Sequence, residues 1–89
     1  MNKDRFKKYV IEWADRIGVG DKITSIHLRK MKTKLASCSS KGRLTFDISI
    51  LEKAKKEIDE IIVHELLHLR YPNHGKMFNL ILKSYLKKK

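Results

Sequence analysis

Cysteine occurs once in this chain, as Cys38, and proline once, as Pro72. A lone thiol cannot close an internal disulfide, so the fold has no covalent staple and must be held by its core, by a bound ion, or by both. No apolar run is long enough to cross a bilayer. Charges scattered through residues 1–30 leave neither a secretory signal nor a membrane span, which makes the cytoplasm the expected compartment and a membrane an unexpected partner. Acidic residues are scarce as well: 10 Asp and Glu stand against 21 Lys and Arg, a formal net charge of +11. Such an excess attracts polyanions and acidic partners at long range, although a solvated basic surface needs no partner, and Lys87-Lys88-Lys89 reads as a frayed tail. No internal repeat, linker or other low-complexity segment divides the chain.

What is present is 89 residues with 42% apolar content, which suits one domain over residues 1–89. At that size the core is only just large enough to fold without help, and a bound metal would supply some. Residues 1–20 read as an opening helix, because Phe6, Val10, Trp13, Ala14 and Ile17 form one stripe at a 3.6-residue period and Gly18 and Gly20 stop it. Residues 23–48 read as sheet. A strand is expected at 23–29, Lys30, Lys32 and Lys34 alternate with Met31 and Thr33 as on a strand with one wet basic face, and 35–39 with 43–48 form an antiparallel hairpin about Ser40-Lys41-Gly42. Residues 49–71 hold a second helix, with Ser49 as its N-cap and Glu52 completing a capping box. The nearly all-round apolar character of Ile58, Ile61, Ile62, Val63, Leu66, Leu67 and Leu69 makes that helix central. Pro72 ends it, Asn73 caps a closing helix over 73–86, and His74, Met77, Phe78, Ile81 and Tyr85 share the inner face of that helix. The fold class is α+β with a small antiparallel sheet.

Three of the four histidines crowd into Val63-His-Glu-Leu-Leu-His-Leu-Arg-Tyr-Pro-Asn-His74. On a helix His64 and His68 stand one turn apart on one face, so both imidazoles reach a single point. Glu65 projects about 60° from His68, beside that point without having to bind it. Catalytic zinc chemistry needs this division: neutral ligands keep the ion a strong Lewis acid, and a carboxylate takes the proton from water. A third ligand is required, and His74 is placed to fold back because Pro72 and Asn73 break the helix between. Chance would produce a His-Glu-x-x-His match in on the order of one such chain in a hundred, so incidental core histidines are a poor account of the cluster. A structural zinc would want a closed, cysteine-rich cage. The spacing from His68 to His74 equals that of metzincins, but Tyr71 stands where that pattern has glycine, which argues against that assignment.

On these residues the chain resembles the YgjP-like branch of small zincin proteins, related to the SprT-like metallopeptidases, over roughly residues 30–78. Ser37-Cys38-Ser39, Gly42 and the strand at 44–48 are similar to the family's Gly-Ser-Cys-Ser segment and hairpin, and the histidine stretch with Phe78 is similar to its metal motif. Leu35-Ala36 and Asn79 replace the family's aromatic-Gly pair and tryptophan. The resemblance implies a minimal zincin-like fold in which His64, His68 and His74 bind one Zn2+ and Glu65 is catalytic.

The expected function is zinc-dependent hydrolysis of peptide bonds in a peptide or protein substrate, with Glu65 as general base. Two rivals are a metal-dependent hydrolase of nucleotides or phosphoanhydrides, which lacks a phosphate loop, and a non-catalytic zinc-containing nucleic-acid-binding module, which leaves Glu65 unexplained. Lys30, Lys32 and Lys34 are the candidates for weak, sequence-indifferent nucleic-acid binding. Cys38 is expected to be a small buried hydrophobe and His27 a surface residue, while Asp47, Asp59 and Glu60 are equal candidates to orient a ligand histidine.

Overall fold

The structure, a computed structural model, describes residues 1–87; Lys88 and Lys89, and with them most of the expected basic tail, lie outside the described residues. Helix α1 spans Lys3–Ile17. The Asn2 side chain accepts the Arg5 N–H at its start, and Gly18, at φ 87°, ends it with its N–H on the Ala14 carbonyl. The buried residues of α1 are the stripe read from the sequence: Phe6, Val10, Trp13, Ala14 and Ile17.

Three short strands follow, β1 (Ser25–Arg29), β2 (Ala36–Cys38) and β3 (Arg43–Asp47), in the order β1-β3-β2. The hairpin pairs β2 with β3 antiparallel, Ser37 opposite Thr45, as expected. The sheet is nonetheless mixed rather than antiparallel throughout, because β1 pairs with β3 in parallel, His27 opposite Thr45. Its cause is the path of the chain. After β1 a loop crosses the end of β3, where Asp47 accepts the Met31 N–H at 2.7 Å and gives its own N–H to the Leu35 carbonyl at 2.8 Å. The chain then returns along β2 and turns at Gly42 into the centre of the sheet. Gly42 has φ 87°, and a Cβ there would lie 1.9 Å from the Lys22 carbonyl oxygen, so only glycine fits. The residues 30–34 expected as a basic strand form this loop instead. Both edges of β3 are already taken, and a segment of alternating lysines has no apolar face to bury.

The expected capping box is not formed either. Asp47 caps a 3-10 turn over Ile48–Glu52, its carboxylate accepting from both the N–H and the hydroxyl of Ser49, and α2 begins only at Lys55, after Ala54. The Asp47 carboxylate takes the Ser49 N–H that a capping box would give to the Glu52 side chain, and the Ser49 hydroxyl donates to the same carboxylate instead of capping a helix. Helix α2 spans Lys55–Leu67 and α3 spans Lys76–Lys87, so the closing helix starts later than expected, with Asn73 and His74 in the connection before it. Met77 is 62% exposed and leaves the inner face of α3 to Phe78, Ile81, Leu82, Tyr85 and Leu86.

The core lies between the sheet and the helices. Leu44 and Phe46 of β3 meet Phe6 and Val10 of α1 and Ile62, Val63, Leu66 and Leu67 of α2, with the Phe6 and Phe46 rings edge to face at 5.0 Å. Each such fully buried side chain contributes about 1.5–3 kcal/mol. No described helix is long and apolar enough to cross a membrane.

One polar contact is sunk into this packing. Asp59 of α2, only 4% exposed, accepts hydrogen bonds from the Tyr9 hydroxyl and, at 3.1 Å, from the Trp13 indole N–H, and so ties α1 to α2. Burial, reinforced by the bond to Asp59, pushes the Tyr9 phenol up to about 12. Its contribution is therefore complete below pH ~10, the unfolded value, and is lost as pH rises towards about 12. Asp59→Ala, which orphans both donors, is expected to destabilise the protein by about 2–4 kcal/mol in urea unfolding, and Asp59→Asn by less. The alkaline loss between those pH values is expected to be absent from Tyr9→Phe; an Asp59→Ala protein as stable as the parent would show that the clamp carries no load.

Candidate metal centre

The last turn of α2 and the connection to α3 build one site. His64 and His68 lie on the same face of α2, and the helix closes when the Tyr71 N–H reaches the Leu67 carbonyl at 2.7 Å. Pro72 then prevents continuation, and residues 72–74 bring His74 back over that face. His74 Nε2 lies 3.2 Å from His64 Nε2 and 2.9 Å from His68 Nε2. One donor atom from each of the three residues falls within 4.8 Å of the others. Phe78, 1% exposed at the start of α3, packs against all three rings, with centroids 5.3, 5.1 and 4.8 Å from those of His64, His68 and His74. It is the apolar support of the cluster.

A single shared proton can satisfy only one of the two contacts made by His74 Nε2, and the other would set two lone pairs against each other. A cation between the rings removes the conflict. Zinc bonds of about 2.0–2.1 Å at tetrahedral angles give nitrogen–nitrogen separations of about 3.3 Å, close to the two that His74 makes. Three nitrogen donors with an open side therefore fit a catalytic type of zinc site better than a closed structural one.

The electrostatics suit ligation. Burial, and then the neighbouring imidazoles, hold His64 below the usual histidine value. His68 is lowered by burial and by His74, opposed by a hydrogen bond to the Pro72 carbonyl. Both rings are thus biased towards the neutral form that binds metal. Neither Asp47 nor Asp59 is directed at the histidines. Asp59 is engaged with α1, and Asp47 with the loop and Ser49. Glu65 is half-buried beside His64, and burial raises its carboxyl above the usual range against the opposing pull of Lys34.

The cluster opens into a cavity of about 470 Å3 bounded by β2 and the turn after it on one side and by His64, Glu65, His68 and His74 on the other. Lys34 lines this cavity and, with Lys30, Lys32 and Arg29, also lines a neighbouring concavity of about 340 Å3, so it borders both the cleft and the basic loop. His27 is exposed and bonded to Ser25, as a surface residue would be. The sequence reading missed Lys34 as a cleft residue, Phe78 as the support beneath all three rings, and the wall formed by Glu57, Glu60 and Ile61. The last had a signal, because residues 57, 60, 61 and 64 recur at helical spacing.

Residues 2–88 match the YgjP-like metallopeptidase domain family. The chain belongs to that family. A search of solved structures finds similarity to the metallopeptidase zymogen of Pyrococcus abyssi abylysin, with a TM-score of 0.73 and 26% identity over 85% of this chain and 75% of that one. No curated protein matches the chain by sequence. The YgjP-like resemblance of the histidine stretch and the hairpin thus holds over nearly the whole chain, and the α+β fold is that of a zincin-type metallopeptidase.

Cys38 lines the cleft but is not among the three converging donors, and its thiol points to the Ser39 carbonyl at 3.6 Å. Burial, and then the negative charge of Glu65, push it up to about 11. In a free thiol the thiolate forms near pH ~8.5. Reaction of the metal-free protein with a disulfide reagent at pH 8 is accordingly expected to be roughly a hundredfold slower than that of a small thiol, with a rate that climbs towards about pH 11. Rapid labelling at neutral pH would contradict a protonated, half-buried Cys38.

Proposed function

We propose that this chain is a zinc-dependent peptidase in which His64, His68 and His74 hold one Zn2+ and Glu65 is the general base. The observation that carries the reading is the convergence of three Nε2 atoms at the foot of a cleft in which Glu65 is the carboxylate beside them. Membership in a metallopeptidase family supports it, and favours it over hydrolysis of nucleotides.

His64, His68 and His74 would hold the zinc ion, which would supply a Lewis acid for the scissile carbonyl and for a water. Glu65 takes the proton of the attacking water. Its carboxyl, already raised by burial, then releases that proton to the leaving amine nitrogen. Phe78 fixes the rings from below, and the Pro72 carbonyl fixes the tautomer of His68. Strand β2 is a sheet edge and lines the cleft, so its outward backbone groups are available to an extended peptide by strand addition.

Glu65→Gln is expected to retain one zinc per chain by elemental analysis and to lose peptide hydrolysis by about 10²–10⁴-fold, since the amide keeps the shape but cannot accept the proton. His74→Ala is expected to lose metal affinity while remaining folded by circular dichroism, because two donors are left. Loss of zinc in Glu65→Gln would make Glu65 a ligand. Unchanged zinc affinity in His74→Ala would remove the third donor.

A further inference from the structure

A second cavity, of about 500 Å3, opens directly from the first and shares His64, Glu65, Ala36 and Lys34 with it. It extends along α2 away from the metal ligands, towards the start of the helix. Its floor is apolar, formed by Leu35 just before β2, by Ala36 at the start of β2 and by Ile61 of α2. Its far wall carries two carboxylates, Glu57 and Glu60. They precede His64 by seven and four residues, about 10 and 6 Å along the helix axis, and so lie on the same side of α2.

The placement is unusual for this chain. Only 10 of its residues are acidic against 21 Lys and Arg, yet three of those acids, Glu57, Glu60 and Glu65, line this one cavity. Lysines abound, but neither Glu57 nor Glu60 makes an ion pair or side-chain hydrogen bond among the described residues. Among the described residues the lysine or arginine in the cavity wall is Lys34, which also borders the histidine cleft and acts on Glu65, so its charge sits at the near end. The far end is left with two unpaired negative charges above an apolar floor.

We infer that this cavity is a specificity pocket for a lysine or arginine side chain of the substrate, its methylenes lying over Leu35, Ala36 and Ile61 and its cationic head reaching Glu57 and Glu60. The inference rests on the peptidase reading. A long basic side chain is the natural residue that matches both halves of such a pocket, since its stem is apolar and only its tip is charged. An aliphatic residue would leave the carboxylates unused, and an acidic one would be repelled by them. A peptide extended along β2 advances about 3.3 Å per residue, so the pocket receives a residue adjoining the bond over the metal cluster. Glu57 and Glu60 are specificity residues and take no part in the chemistry.

The test has two arms. In the first, the zinc-loaded protein is given a mixed peptide library, and cleavage sites are read by mass spectrometry. Lys or Arg is expected to be enriched at one fixed position beside the cut bond. Glu57→Gln with Glu60→Gln should lower the ratio of kcat/KM for lysine over norleucine at that position by roughly tenfold, the size of two solvent-facing charge pairs. Glu57→Lys with Glu60→Lys should invert the preference towards acidic residues. In the second arm, binding of a labelled lysine peptide and its norleucine counterpart to zinc-loaded Glu65→Gln is followed by anisotropy, with and without the Glu57 and Glu60 substitutions. The lysine peptide should bind more tightly only while both carboxylates are present.

Cleavage without a basic preference, or a preference that survives both double substitutions, overturns the pocket and leaves the peptidase reading intact. Absence of any cleavage counts against the peptidase reading, while the binding arm still decides the pocket.

Discussion

The Tyr71 N–H closes α2 on the Leu67 carbonyl, and the site depends on the helix stopping there. One more turn would carry residues 72–74 along the axis and away from His64 and His68; one turn fewer would take away the helical backbone of the C-cap residue His68, which aligns it with His64. Pro72 enforces the stop from the other side, since it has no N–H to continue the ladder. Its carbonyl is then free to accept from the His68 ring. A single backbone event therefore sets the position of His74, the orientation of His68 and the open face of the cluster.

The rest of the fold serves to hold that helix end still. Phe78 sits under the three imidazoles from α3, and Leu66 and Leu67 bury the opposite side of α2 in the core. At the other end, the Asp59 clamp fastens α2 to α1 through two aromatic donors. In so small a core, directional contacts at both ends of the helix limit sliding and rotation that apolar packing alone would resist weakly. Strand β2 is fixed in turn by its pairing to β3 and by Asp47, which anchors the loop before it. The cleft is thus bounded by two elements whose separation is set outside the cleft.

Much of this was legible from the chain. The stripe from Phe6 to Ile17 could be read because one face of α1 is apolar and the other is not, and the hairpin because Leu44 and Phe46 alternate with polar neighbours around a glycine turn. The convergence of His64 and His68 was legible because helical geometry is periodic, so the pair needed no tertiary knowledge to be recognised. What failed depended on competition between distant groups. Ser49 does not act as a cap because both its N–H and its hydroxyl are engaged by the carboxylate of Asp47, two residues earlier. The parallel pairing of β1 follows from how residues 30–35 cross β3, and a run of lysines carries no signal of such a crossing. Lys34 and the carboxylates of α2 become neighbours of the histidine cluster only when β2 lies beside α2.

X-ray absorption at the zinc edge on the loaded protein tests the central claim most directly, because it counts and identifies the atoms around the metal without reference to activity. The account predicts a first shell of nitrogen and oxygen only, at about 2.0–2.1 Å, with the outer-shell scattering of three imidazoles and no sulfur. A sulfur neighbour at about 2.3 Å would bring Cys38 into the shell, and fewer than three imidazoles would exclude His64, His68 and His74 as a joint site; either result would contradict it.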